Sequence, residues 1–160
     1  MIKKFDFDDL EKLFDENAQN LVDQTFYVDA MSKRDRAVLA DGSLNIPVLL
    51  NAANVFLDNG EVKLAKNVYL KILKNHPEEA RVFDGLAQCY LLESNFVFAI
   101  DCINESIKIQ ATLERYQSLA SIYIRKRDDG RAVLVLTQAL ELTSSSNEKS
   151  DILRALAGCF

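Results

Sequence analysis

The sequence predicts an all-α protein, a solenoid of three helix-turn-helix repeats with a flanking helix at each end. Apolar residues recur at positions i, i+3, i+4 and i+7, which is the spacing of one helix face. A pattern of large, small and aromatic residues returns about every 34 positions. Gly and Pro number only five and two in 160 residues, which leaves few of the tight turns that a β-sandwich needs. Stacked helix pairs are therefore favoured over a sheet.

Each unit of the pattern contains a large apolar residue, then after two positions an apolar–Ala or Ala–Ala pair, then after two more an aromatic residue. The four units begin at Leu49, Phe83, Tyr116 and Leu153. Nine residues beyond each of the first three aromatics lies another alanine, at positions 65, 99 and 132. Small residues at these places let two antiparallel helices approach to roughly 8–10 Å between axes. Because one helix pair cannot bury its apolar stripe alone, each pair is expected to stack on the next.

The three repeats are predicted to span residues 47–78, 79–112 and 113–144. Their helices are predicted, in chain order, at 46–58, 61–74, 79–92, 96–108, 113–126 and 129–142. The first pair is expected to turn at Asp58-Asn59-Gly60, since Gly tolerates the positive φ that ends a helix. Ser94 and Arg127 stand at the place of Gly60 in the other two repeats.

Flanking segments are predicted to cover the apolar ends of the solenoid. Residues 1–46 are interpreted as an amphipathic helix and a polar connection. Four apolar residues are spaced as one helix face, namely Leu10, Phe14, Leu21 and Val28. Residues 1–31 carry a net charge of −5, and we expect this helix to cap the first repeat or to mediate a homodimer. Residues 145–160 are predicted to form a capping helix, a partial fourth unit.

Composition excludes several function classes. The net charge of −5 and pI of about 4.9 argue against nucleic-acid binding, which needs a basic face. The basic cluster Arg125-Lys126-Arg127 is followed at once by Asp128-Asp129, and is interpreted as a solvated turn or as a contact for a phosphate or an acidic partner. No apolar run approaches the ~18 residues of a membrane span. Three cysteines without C-x-x-C spacing favour a cytoplasmic location.

Catalytic residues, metal ligands and cofactor motifs are not predicted. The single histidine, His76, precedes Pro77 and is interpreted as the end of a helix rather than as a general base. Cys89 and Cys102 lie 13 positions apart without a nearby histidine, which does not suit a metal site. No glycine-rich phosphate loop occurs. The sequence therefore predicts a protein that is not an enzyme.

The repeat resembles the tetratricopeptide repeat (TPR), whose pattern is W-x2-L-G-x2-Y, then A-x3-F, then P, on a 34-residue period. The resemblance covers residues 47–144, with Ala in place of the pattern's Gly in every first helix. Pro77 closes the first unit, whereas Ala111 and Ser144 stand at that place in the others. The resemblance implies that the first helix of each repeat lines a concave groove that binds a protein or peptide client.

Nine residues are the predicted exposed positions of those first helices, three per repeat: Leu50, Asn54 and Leu57; Asp84, Gln88 and Leu91; Gln117, Ser121 and Ile124. The middle position of each set is polar and the last is apolar. A polar row beside an apolar row suits an extended peptide, whose backbone pairs with amides while alternate side chains meet apolar surface. The alternative is that the three apolar residues are core residues at the helix ends.

Two narrower comparisons refine this expectation. Some TPR proteins hold a C-terminal carboxylate with a clamp of Lys, Asn and Arg, but Leu50, Gly85, Glu114 and Ser118 occupy clamp positions here and only Asn54 fits. In outline the chain is similar to bacterial type III secretion chaperones with three TPRs, which hold translocator proteins in the cytoplasm. Residues 81–90 and 146–153 look like segments of that family. The alternative function is a scaffold that contacts partners through its convex face or N-terminal helix.

Overall fold

The computed structural model describes residues 45–160, and within this range the chain forms α-helices and no β-strand. The helices are α1 (Ile46–Asp58), α2 (Val62–Asn75), α3 (Ala80–Leu92), α4 (Phe96–Ile109), α5 (Leu113–Arg125), α6 (Asp129–Leu142) and α7 (Ser146–Gly158). The first six begin and end within one residue of the predicted bounds. The predicted all-α solenoid is confirmed. The predicted helix within residues 1–31 lies outside the described residues.

Helix contacts follow the order expected of stacked pairs. Each first helix packs on the second helix of its own repeat, so α1 lies on α2, α3 on α4, and α5 on α6. Each second helix also packs on the helix that follows it, joining α2 to α3, α4 to α5, and α6 to α7. Helices α1 and α3 are in direct contact as well. The terminal helix α7 therefore occupies the place of a fourth repeat's first helix.

Pairs of small residues lie where the two helices of each repeat meet. Ala53 and Ala65 are both completely buried in the first repeat. The equivalent alanines of the other repeats, Ala87, Ala99, Ala120 and Ala132, are at most 1% exposed. A longer side chain at these positions would force the helix axes apart, which explains why the repeat keeps alanine there.

The three turns inside the repeats share one backbone conformation. In the first, the amide of Glu61 donates to the carbonyl of Phe56 at 2.8 Å, and the amide of Gly60 donates to Leu57 at 2.9 Å. The same two bonds recur at Ser94–Asn95 and at Arg127–Asp128. Gly60, Ser94 and Arg127 all have positive φ, at 77°, 58° and 62°. This double bond is the Schellman motif, in which a left-handed residue satisfies the last carbonyls of a helix.

Candidate functional site

A polar row runs along the first helices of the three repeats. Asn54, Gln88 and Ser121 occupy equivalent positions on α1, α3 and α5, and all three are exposed. Each directly follows the buried alanine that packs its helix onto its partner. The fold therefore presents one polar side chain per repeat along the stack of first helices.

Asn54 is oriented by a hydrogen bond from Tyr69 of α2. The tyrosine hydroxyl donates to Oδ1 of Asn54 at 2.9 Å. Its ring fills the space over Gly85 of α3, where an added Cβ would lie only 2.2 Å from Tyr69 Cζ. Burial raises the pKa of Tyr69 above its usual value, so the hydroxyl keeps its proton and remains a donor. Gly85 thus makes room for the side chain that orients Asn54.

The predicted apolar row divides into two kinds of residue. Ile124 is 38% exposed and offers apolar surface. Leu57 and Leu91 are only partly exposed and pack against the hydrophobic core. These two leucines have surface to offer a ligand, but they also contribute to the packing of their own helix ends.

The first residue of each predicted groove set, namely Leu50, Asp84 or Gln117, has a different environment in each repeat. Leu50 is 8% exposed and belongs to the hydrophobic core. Gln117 is partly buried. Asp84 is partly buried too, and its carboxylate is bound by side chains of this chain. The three equivalent positions therefore do not form one continuous exposed surface.

Asp84 forms the centre of a polar network between the second and third repeats. Arg115 of α5 donates to both carboxylate oxygens, with Nη2–Oδ2 at 2.9 Å and Nε–Oδ1 at 3.1 Å. Nη1 of Arg115 donates to the carbonyl of Gln110 at 2.7 Å. The hydroxyl of Ser106, which is completely buried, lies 2.5 Å from Oδ1 of Asp84 and 3.0 Å from the carbonyl of Ala80. Arg115 is only 8% exposed, so the network is largely shielded from water.

Sequence reasoning missed Arg115. It lies 31 residues from Asp84, so the pair has none of the short spacing by which ion pairs within one helix are recognised. The pairing could have been found by comparing the residues at equivalent positions of the repeats. The positions equivalent to Arg115 hold Val48 and Val82, and the position equivalent to Asp84 in the first repeat holds Leu50. Opposite charges at two positions that are both apolar in the first repeat indicate a pair across the repeat interface.

The family comparison matches the third repeat. Residues 113–146 match the family model of the tetratricopeptide repeat. This stretch is therefore similar to a TPR. It contains α5 and α6 and ends at the start of α7. TPRs are protein–protein interaction modules, and the first two repeats of this chain share the third repeat's turns, buried alanines and helix register.

Reactive groups around the TPR are few in the described part of the chain. Residues 45–160 contain no cluster of three side chains suited to holding a metal ion. Cys89 and Cys102 are completely buried, and burial raises the pKa of the Cys89 thiol to about 12, which keeps it protonated. His76 ends α2, where its backbone amide donates to the carbonyl of Ile72 at 2.8 Å. Within the same range no helix is long and apolar enough to cross a membrane.

Proposed function

We propose that this protein is a non-enzymatic, cytoplasmic chaperone or adaptor that holds an extended segment of a client protein along the first helices of its repeats. The observation that carries the proposal is the row of exposed polar side chains, Asn54, Gln88 and Ser121, one on each first helix. The TPR match supports a protein as the ligand. In TPR folds these helices line the concave groove.

The chemistry of the row suits a peptide backbone. Asn and Gln side chains each carry a carbonyl acceptor and an NH2 donor, so they can pair with both kinds of backbone group. Asn54 is oriented in advance by its bond from Tyr69, and less side-chain freedom is lost when a peptide binds. Ile124, with Leu57 and Leu91 beside it, offers apolar surface to alternate client side chains.

The secretion-chaperone resemblance supports a narrower form of the proposal. In that form the client is an aggregation-prone segment that the groove keeps extended until export. The carboxylate clamp of other TPR proteins is not matched, because Leu50 and Gly85 stand at clamp positions. An internal client segment therefore fits better than a C-terminal tail. Self-association through residues 1–31 belongs to this proposal and is tested separately by the mass of the full chain in solution.

The test compares two matched variants of the full chain. Gln88→Arg places a bulky cation in the middle of the polar row. Gln138→Arg makes the same change at an exposed position of α6, which is a second helix. Each protein is purified from its native cell extract, and its co-purifying proteins are identified by mass spectrometry. We expect one dominant client with the wild type and Gln138→Arg, and a loss of at least tenfold with Gln88→Arg. Equal recovery with both variants would exclude the first-helix row.

A scaffold is the second candidate, because apolar residues are also exposed on a second helix. Leu134 of α6 is 67% exposed, although the equivalent residue of α4 is Asp101. The scaffold function predicts the opposite outcome of the same experiment. Leu134→Asp would then release the bound protein, while Gln88→Arg would leave it bound.

A further inference from the structure

Apolar side chains are exposed around the turn between α3 and α4. Leu92 is 61% exposed, Val97 59% and Phe98 39%, and Phe96, the first residue of α4, is partly buried. Phe98 is fixed by stacking on Tyr90, with ring centroids 5.2 Å apart. Leu92, Phe96, Val97 and Phe98 are called the turn patch here. Leu92 lies one helical turn beyond Gln88 on α3, so the turn patch adjoins the end of the first-helix row on which the proposed function rests.

The repeat register shows that the fold does not require this patch. The turn between α1 and α2 has the same backbone bonds, but it carries Asp58 in place of Leu92 and Lys63 in place of Val97. The turn between α5 and α6 carries Arg125 and Gly130 at the same two positions. Charged or small residues therefore satisfy the same turn. The fold therefore does not account for apolar residues at Leu92 and Val97, and clustered exposed apolar residues are typical of an interaction surface.

Cations border the turn patch on the side of the third repeat. The guanidinium of Arg125 lies 5.5 Å from the ring centroid of Phe96. Lys126 and Arg127 follow it, and all three residues are exposed. Two carboxylates follow these cations, Asp128 and the exposed Asp129. Asp128 caps α6 through the amide of Arg131 and pairs with Nε of Arg131 at 3.5 Å. Residues 125–131 therefore carry four cations against two carboxylates, a net charge of +2. The surface thus combines apolar contact with positive charge, and it fits a ligand that is apolar and acidic.

The chain itself contains such a ligand. Residues 5–16 read FDFDDLEKLFDE, with six carboxylates against one lysine, a net charge of −5. Their apolar residues are Phe5, Phe7, Leu10, Leu13 and Phe14. We propose that residues 5–16 bind to the turn patch of the same chain, with their carboxylates against Arg125, Lys126 and Arg127.

Length and tethering favour binding within one chain. The 28 residues between position 16 and position 45 can span at most about 90–100 Å when extended. A helix of 13 residues is only about 20 Å long, so the turn patch is well within reach. A tethered segment has an effective concentration on the order of millimolar, far above that of a second copy in dilute solution. The segment then covers apolar surface until a partner of similar chemistry displaces it.

Zero-length carbodiimide cross-linking of the full chain at micromolar concentration tests the proposal. The reagent joins an amine to a carboxylate only when the two are in contact. We expect mass spectrometry of the monomer band to find Lys126 joined to a carboxylate of residues 5–16. Exposed Lys149 of α7 is the internal control, and we expect at least fivefold fewer links from it to the same segment. Equal yields from the two lysines, or links found only in a dimer band, would overturn binding within one chain.

Two variants separate the turn patch from general folding. The double variant Leu92→Asp/Val97→Lys introduces the residues of the first turn, which the same backbone already accommodates. Its matched control is Leu134→Lys, an equally exposed apolar residue on α6. We expect the double variant to lose most of the Lys126 links with an unchanged melting temperature, and the control to keep them. Arg125→Glu retains Lys126 as the reporter and should also lose the links. Retention of the links in both patch variants would refute the proposal.

Discussion

The interface between repeats 1 and 2 and the interface between repeats 2 and 3 use the same three positions with opposite chemistry. In the first interface the positions hold Leu50, Ile72 and Val82, all members of the hydrophobic core and at most 8% exposed. In the second they hold Asp84, Ser106 and Arg115, which form the polar network. The backbone tolerates either solution. Apolar contact is non-directional, whereas a bidentate Arg–carboxylate pair fixes the relative placement of two helices.

The apolar interface should be the more sensitive to truncation. Ile72 is completely buried, so Ile72→Ala removes apolar contacts and leaves a cavity. We expect the free energy of unfolding to fall by about 3–4 kcal/mol. The measurement is a urea titration followed by circular dichroism at 222 nm. A loss below about 1 kcal/mol would show that the first interface contributes little to stability.

The polar interface should respond to the loss of its acceptor. Asp84→Ala leaves the guanidinium of Arg115 without its carboxylate at a site that is 8% exposed. We expect a loss of about 2–3 kcal/mol, below the 3–5 kcal/mol typical of a fully buried pair because the Asp84 side chain is 31% exposed. The matched control is Asp151→Ala, which breaks an exposed pair with Arg154 and should change stability by less than about 0.5 kcal/mol. Similar losses in the two variants would show that the network is no stronger than a surface ion pair.

The turns lie inside the repeats, so substitutions there report on backbone conformation and not on the two interfaces. Ser94 holds a positive φ of 58° that Gly60 adopts without a Cβ in the first repeat. Ser94→Gly should therefore stabilise the protein by about 1 kcal/mol, since a left-handed conformation is unfavourable for residues with a Cβ. Gly60→Ala should destabilise it by a similar amount. Thermal melts of both variants provide the measurement, and a destabilising Ser94→Gly would contradict this account.

The smallest change in the free energy of unfolding is expected from the variant with the most substitutions. The triple variant Asp84→Leu/Ser106→Ile/Arg115→Val transplants the apolar residues of the first interface into the second. Replacing a buried ion pair by well-packed apolar residues is often neutral or stabilising. We expect the free energy of unfolding to stay within about 1 kcal/mol of the wild type or to rise. A loss as large as that of Asp84→Ala would show that the second interface cannot pack without its charges.

The repeat register predicted the fold closely. Apolar periodicity and buried alanines recur in every unit, so the helix bounds could be read to within one residue in α1 to α6. The place of the turns was predicted too. The positive φ of Arg127 could be inferred only by aligning it with Gly60, because arginine has no preference for that conformation.

The candidate site was less accessible to sequence reasoning. The exposed polar positions, such as Gln88, follow from the helix period once the buried face is known. The ion pair of Asp84 cannot be predicted from the helix period, because its partner Arg115 comes from another repeat and the pairing depends on how two repeats stack. Leu91 illustrates a second limit. Near the end of a helix, one side chain can face both the core and solvent, and periodicity alone does not separate these roles.

The polar network also bears on the order in which the repeats assemble. The three units share turns and buried alanines, so a folding chain could stack the third repeat directly on the first. In that arrangement Arg115 would face Leu50 and Ile72 and would be buried without a carboxylate. An unpaired buried charge is strongly disfavoured, and such a misdocked intermediate would be short-lived. The ion pair thus favours the correct order of the repeats, because only the second repeat offers Arg115 a carboxylate.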